Sequence, residues 1–287
     1  MANVTIGGLV DQAVTSTKAT TAAGVTTTTK SIGPTSNGTS ELHFSGSEDL
    51  GDGMKASFRL GLNMTADDNG ASTTANSSAN GANRISYVEL TGGFGGIQLG
   101  QQWEPGFFVV LAADPTNLTG STAIVGPAQF VGYTANSITY NAPSFVPGLA
   151  IQYQMGRGEA SASNAGNSSG YSLTYNNGPL AVAYDLGMVK VNAYNISTKL
   201  AGTTSKHSGS GFGLSVPVSA STRLAVLSSG ATGTNGSGTQ EKEKGTKYAV
   251  FHNLSKRTMA YGFVAKGTTT GASNAYGQTA FGLMHSF

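Results

Sequence analysis

Met54-Lys55-Ala56-Ser57-Phe58-Arg59-Leu60-Gly61 places an apolar residue at every second position, with charged or small residues between them. Successive side chains of a strand point to opposite faces, so this spacing predicts a strand with one apolar and one polar face. The pattern continues in both directions along the chain. Leu42 and Phe44 alternate with Glu41, His43 and Ser45; Leu149, Ile151, Tyr153 and Met155 alternate with Ala150, Gln152 and Gln154; Tyr171, Leu173 and Tyr175 alternate with Ser172 and Thr174. Further strands are expected at residues 3–14, 83–90, 96–103, 137–141, 189–194, 211–218, 222–227, 247–253, 258–266 and 275–287. Helical periodicity is almost absent.

The connections fall into two classes that alternate through most of the chain. Gly51-Asp52-Gly53, Gly92-Gly93-Phe94-Gly95, Pro147-Gly148, Ser219-Ala220-Ser221 and Lys256-Arg257 are turn-like. Residues 16–39, 66–81, 104–135, 156–169, 199–208, 228–245 and 267–274 are long and rich in Ser, Thr, Gly and Asn. Every second connection therefore lies at the same end of the strands. An antiparallel meander with one trimmed end and one elaborate end, apolar outside and polar inside, is the pattern of a transmembrane β-barrel.

Composition agrees. Of 287 residues 10% are charged and 38% hydrophobic, against about 25% and 45–50% in soluble domains, and 41 are glycine. A wall between lipid and a water-filled lumen needs neither a charged surface nor a thick apolar core. The competing reading is a secreted Ser/Thr-rich β-sandwich, an adhesin or interaction protein, whose strands also alternate. A sandwich needs a charged outer face and bulky inner residues, whereas here the polar face is Gly, Ala, Ser, Thr and Gln. The chain reads as one all-β domain over residues 1–287.

The segment Gly46-Ser47-Glu48-Asp49-Leu50-Gly51-Asp52-Gly53-Met54-Lys55-Ala56 resembles the second hairpin of the trimeric general porins of Gram-negative outer membranes. The likeness continues at Arg84 to Leu90, at Ile97-Gln98-Leu99-Gly100-Gln101-Gln102, at Asn136-Ser137-Ile138-Thr139-Tyr140, at Asn176-Asn177-Gly178-Pro179-Leu180 and at Leu254-Ser255-Lys256-Arg257-Thr258. It ends at Phe281-Gly282-Leu283-Met284-His285-Ser286-Phe287, where the terminal Phe287 resembles the family's signal for barrel assembly. The resemblance implies a homotrimer in outer-membrane lipid, short periplasmic turns, long extracellular loops, and passive diffusion of small hydrophilic solutes and ions without a cofactor.

The family barrel usually has about 16 strands. Here Asn177-Gly178-Pro179 resembles the turn before its ninth strand and Asp185-Leu186-Gly187-Met188 the turn after its tenth. Only residues 180–184 lie between, too few for two crossings of about 9–11 residues each. With one of these turns absorbed into a longer strand the count is about 14, an even number as closure requires, which implies a lost hairpin.

Residues 104–135 match the family's third loop, which folds into the pore and narrows it. Phe107, Phe108, Val109, Val110 and Leu111 suit an inward position, and Glu104 and Asp114 are its only charges. The resemblance sets these acids opposite Arg59 and Arg84, with Lys55, Lys190 and His43 elsewhere on the lumen wall. Relatives carry arginines near Glu41, Gln101 and Thr139, where this sequence has an acid, an amide and a hydroxyl. Weak ion selectivity, with at most a modest anion lean, is expected. Strict alternation puts Gln101 on the lipid side with Leu99, so an inward Gln101 needs a bulge.

Other chemistry is thinly supported. No run of about 18 apolar residues can form a membrane-spanning helix. The start lacks the basic-then-apolar plan of a signal peptide and reads as a mature form. With 16 Lys+Arg against 14 Asp+Glu and five scattered arginines, no basic patch for nucleic acid is present. Cysteine is absent, and the four histidines show neither metal spacing nor a nucleophile motif, so neither a metal nor an enzymatic activity is expected. Asp67-Asp68-Asn69-Gly70 lacks the spaced carboxylates and closing Glu of a calcium loop. Glu241-Lys242-Glu243-Lys244 reads as solvated loop.

Overall fold

The computed structural model describes residues 3–33, 37–64, 84–117, 132–158, 167–175, 183–185, 189–199, 206–234, 240–270 and 274–287. One antiparallel sheet contains every strand. Its first half comprises β1 (Asn3–Thr20), β2 (Thr26–Gly33), β3 (Glu41–Gly51), β4 (Met54–Asn63), β5 (Ser86–Gly92), β6 (Gly95–Trp103), β7 (Tyr133–Asn141), β8 (Leu149–Gly156) and β9 (Ser168–Tyr175). The second half comprises β10 (Ala183–Asp185), β11 (Lys190–Lys199), β12 (Lys206–Pro217), β13 (Thr222–Thr234), β14 (Gln240–Asn253), β15 (Thr258–Thr270) and β16 (Asn274–Ser286). A helix, α1 (Pro105–Ala113), follows β6.

β1 lies between β3 and β16, joining the chain's two ends; from there the ladders run in chain order to β9 on one side and back to β10 on the other. The seam of the wall is sealed by the last residue, since Gly8 and Phe287 exchange backbone hydrogen bonds of 3.1 Å. β2 and β3 share β1 as partner, β2 pairing with residues 13–20 and β3 with residues 3–9. They are therefore two parts of one stave, so the 16 strands occupy one fewer position around the wall. The sequence count of about 14 is thus low.

The discrepancy arises at β9 and β10. Tyr175 pairs with Leu149, just after the Pro147-Gly148 turn, and Asp185 pairs with Lys190 across another trimmed turn. Both strands end at the same rim, the arrangement that the length argument excluded. Among the described residues between 178 and 189 there is one three-residue strand and no second crossing, and no ladder joins β9 to β10.

The alternation decides which face is which. Val4, Ile6 and Val14 of β1, Val88 of β5, Leu99 of β6 and Phe281 and Leu283 of β16 are exposed, while Asp11, Ala13, Leu227, Phe251 and Tyr261 on the opposite parity are buried. An exposed apolar face around a single sheet suits lipid and disfavours the sandwich reading. The trimmed turns carry their expected chemistry: Gly51, Asp52 and Gly53 all have positive φ, and the Asp49 carboxylate accepts from the Gly51 N–H at 2.9 Å.

Several long connections turn out to be strand. β13 and β14 stay paired out to Thr234 and Gln240, so Glu241 to Lys244 belongs to a ladder rather than to a loop. β2 likewise occupies part of the expected first loop. Their side chains lack apolar alternation because these ladders extend past the roughly 9–11 residues that cross a bilayer. Backbone bonds and hydroxyl pairs hold them, such as Thr15 with Ser31 at 2.7 Å and Ser208 with Thr232 at 2.8 Å. The calcium-like Asp67 to Gly70 lies outside the described residues.

Candidate functional site

The inner face is divided. On β11 to β16 and β1 it carries an apolar cluster that includes Tyr194, Leu227, Phe251, Tyr261 and Phe263. On β3 to β8 it is polar, so this side holds the chemistry. Period 2 sends Glu41, Arg59 and Glu89 to one face of three consecutive strands. The Glu41 carboxylate accepts from Arg59 Nη2 through one oxygen and from Arg84 Nε through the other. His43 Nδ1 lies 3.2 Å from the Arg59-bound oxygen. Arg84 is held further by Nη1, which donates to Tyr133 OH at 2.9 Å and to Asn63 Oδ1 at 3.3 Å, while its guanidinium lies 5.8 Å from the Trp103 ring centroid. Glu89 accepts from Ser57 Oγ at 2.9 Å and Gln98 Nε2 at 3.1 Å.

A cavity of about 460 Å³ opens beside this cluster, lined by Glu41, Arg59, Arg84, Gln102, Trp103 and Phe108 among others. Its aromatic edge is ordered by stacking: Trp103 lies 3.9 Å from Phe107 at 8° and 4.3 Å from Tyr133.

The segment after β6 closes one side of the cavity. Pro105 suits the first turn of α1, where its missing N–H is no loss, and Asp114-Pro115 stops the helix. The sequence of α1 is apolar all round, as expected of a helix covered on several sides. It packs against β8, β9, β11 and β12, and so straddles the gap between β9 and β11. Beyond it, Pro115 sits over Gly213 of β12, where a Cβ would lie 2.6 Å from the proline ring. Arg223 of β13 donates to the Pro115 carbonyl and to Asn117 Oδ1, the latter at 3.3 Å, and its guanidinium stacks 4.3 Å from Phe251. The buried Asp114 acts electrostatically on Arg223 and Lys247. Burial pushes the Glu104 carboxyl above its usual range.

A family profile described as Gram-negative porin matches residues 1–272. The chain belongs to the Gram-negative porin family. It is an outer-membrane protein of a Gram-negative bacterium, and the fold is that of channels rather than enzymes. The porin is 28% identical over 179 residues to outer membrane porin protein 32 of Delftia acidovorans, an alignment over 58% of this chain and 49% of that protein, so it spans about half of that relative's length. Its fold is similar to an anion-selective porin from Comamonas acidovorans at TM-score 0.79 and 24% identity, with 100% of both chains covered. It is also similar to the outer membrane channel DcaP of Acinetobacter baumannii at TM-score 0.66 and 12% identity, over 100% of this chain and 97% of that one.

Not every residue singled out in the porin's sequence lies where alternation and resemblance set it. Glu41, Arg59 and Arg84 come together, with His43 at their edge. Asp114 does not face the two arginines; it is carried past them to the β13–β14 wall, and Glu41 takes its place as their counter-charge. Gln101 pairs in register with Ser86 and donates from Nε2 to the Arg84 carbonyl at 2.9 Å, whereas Gln102 lines the cavity. The irregularity that would have turned Gln101 inward is present between Gly100 and Gln102, but its extra residue is on β7, so β6 keeps its alternation. Lys55 and Lys190 are exposed beside trimmed turns, away from the cluster. Glu89, Gln98, Gln102 and Gln152 were not singled out in the sequence, although alternation from Leu99 reaches Gln98 and Gln102 and alternation from Gln154 reaches Gln152; Glu89 shares its face with Tyr87 and Arg59. There was no local signal for Arg223 or Lys247, because the segment they meet, Asp114 to Asn117, lies more than 100 positions earlier in the chain.

Proposed function

We propose that this porin is a passive diffusion channel whose water-filled lumen passes small hydrophilic solutes and ions with weak ion selectivity, as a homotrimer. Residues 104–135 act as the inward loop, and Glu41, Arg59, Arg84 and Glu104 act at the narrowing, with Gln102 in the place expected for Gln101 and Asp114 serving as an anchor. Lys55 and Lys190 line the trimmed end of the passage, and Phe287 serves as the assembly signal. The observation that carries the selectivity reading is the shared Glu41 carboxylate. Two guanidinium charges less one carboxylate leave a single positive charge, and Glu89 on the next strand offsets that. Little field is left to sort anions from cations.

Planar-bilayer recording under a salt gradient tests this. Conductance in steps of three and a reversal potential near zero, leaning slightly to anions, are expected. A potential close to the ideal value for either ion would overturn weak selectivity, and folded protein that does not conduct would overturn the channel. Arg84→Gln is expected to change both conductance and reversal potential; an unchanged pair removes Arg84 from the narrowing.

A further inference from the structure

The outward face of the wall changes character at the end that carries the long connections. Lys18 of β1, Lys30 of β2, Lys244 of β14 and Lys266 of β15 are exposed there, on the same parity as the lipid-facing Val14, Ile32, Tyr248 and Val264. Lys266 and Lys18 lie in one row with Gly277 of β16 between them; Lys244 is diagonal to Lys266, and Lys30 is diagonal to Lys18. Strands about 4.8 Å apart put neighbours in this band within roughly 10 Å of each other. The four lysines form no ion pair among the described residues, and no described Asp or Glu shares their face at this rim; Glu243 takes the inner parity, opposite Ala231. Just below them Tyr248, Val264 and Phe281 begin the apolar belt. An open groove of about 840 Å³ crosses that boundary, with Lys244 and Lys266 at its polar end and Tyr248 and Val264 at its apolar one.

Lysine stems can lie along apolar surface while their ammonium groups reach past it, and four like charges in one band repel unless an anion joins them. We propose that this band holds the phosphorylated headgroup of an outer-leaflet lipid, whose acyl chains lie along Tyr248, Val264 and Phe281. A lipid with two phosphates matches both parts of the surface at once: each phosphate is shared by a diagonal lysine pair, and the chains cover the exposed apolar strands beneath. Gly277 adds no side chain between the two pairs, so the headgroup can bridge them. A free anion would use the lysines alone and leave the apolar end of the groove uncovered.

The test is titration of the folded full chain in detergent with bis-phosphorylated lipid A, its dephosphorylated form and inorganic phosphate, with bound lipid counted by native mass spectrometry. Lipid A is expected to bind more tightly than the dephosphorylated form, and inorganic phosphate at equal concentration is not expected to displace it. The double variants Lys244→Gln with Lys266→Gln, and Lys18→Gln with Lys30→Gln, are expected to lose about fivefold in affinity per lysine, whereas Lys256→Gln at the trimmed rim is expected to bind as wild type. Heat-modifiable gel mobility checks that each variant is folded. Equal affinity for the two lipid forms, unchanged binding in both double variants, or displacement by inorganic phosphate overturns the lipid site. A disulfide between copies of Lys244→Cys in native membranes places a second copy on this face and overturns it too. The site requires the barrel and its membrane only, so wild-type conductance tests the channel reading separately.

Discussion

At the residue scale, one carboxylate controls two arginines. Removing its charge in Glu41→Gln frees both guanidinium groups toward the lumen. Anion-over-cation permeability, read from reversal potentials, is expected to rise about fivefold, the effect of ~1 kcal/mol from one charge at ~4 Å in water. Glu104 gives a pH dependence. Burial disfavours its ionised form, so its proton returns at a pH above the ordinary carboxylate range of about 4.3. The penalty on folded stability is present above that raised value and disappears as pH falls below the unfolded one, so acidification relieves it. Anion permeability is therefore expected to increase on acidification before ordinary carboxylates titrate, and the early step is expected to be missing in Glu104→Gln. Asp11 is another single-residue hub. It is fully buried and accepts from Tyr261 OH at 2.7 Å and from the Asn37 and Gly38 N–H groups at 2.7 and 2.9 Å, fastening the link between β2 and β3.

At the element scale, α1 and the residues after it form a strap from β6 to the opposite wall. The latch is Pro115 over Gly213, with Arg223 gripping two atoms of the strap. Gly213→Val leaves no room for Pro115, and Arg223→Ala removes the grip. Either change is expected to leave the barrel assembled, as seen by heat-modifiable gel mobility, while recordings show larger or flickering conductance. Steady wild-type currents in both variants would show that the strap is held elsewhere. The β1–β16 closure depends on a similar close approach, since a Cβ at Gly8 would lie 2.3 Å from the Phe287 ring. Gly8→Val is expected to lower the yield of folded, heat-modifiable protein several-fold, with no such loss for the outward Val14→Ala.

At the scale of the whole molecule, the interior is asymmetric: apolar packing on one half, charges and amides on the other. The strap spans from β8 and β9 to β11, β12 and β13, so the polar β3–β7 side is left to solutes. Among the described residues, ladders reaching beyond the bilayer, such as β13 with β14, make that part of the outer rim sheet rather than loop. Amide hydrogen exchange should accordingly be slow at residues 228–233, comparable to the membrane-crossing part of β13; rapid exchange there would contradict this picture.

Alternation from Leu42 to Leu60 and the turn at residues 51–53 were enough to give strand, face and hairpin, because these depend on backbone period and on the steric limits of positive φ. The same local rules put Glu41, His43, Arg59 and Gln102 on the inner face. They could not pair Glu41 with Arg84, 43 positions away, nor carry Asp114 across the lumen to the β13–β14 wall. They also read Thr- and Ser-rich ladders as loops, because a strand outside both lipid and core has no apolar face to mark it. Thus the sequence by itself determined a lipid-facing antiparallel wall with a polar inner face, since each strand's two faces are written in neighbouring residues. Only the tertiary structure decided which charges cancel, where the strap is latched and which half of the interior stays open. Those outcomes depend on contacts between residues that the chain separates by tens to hundreds of positions.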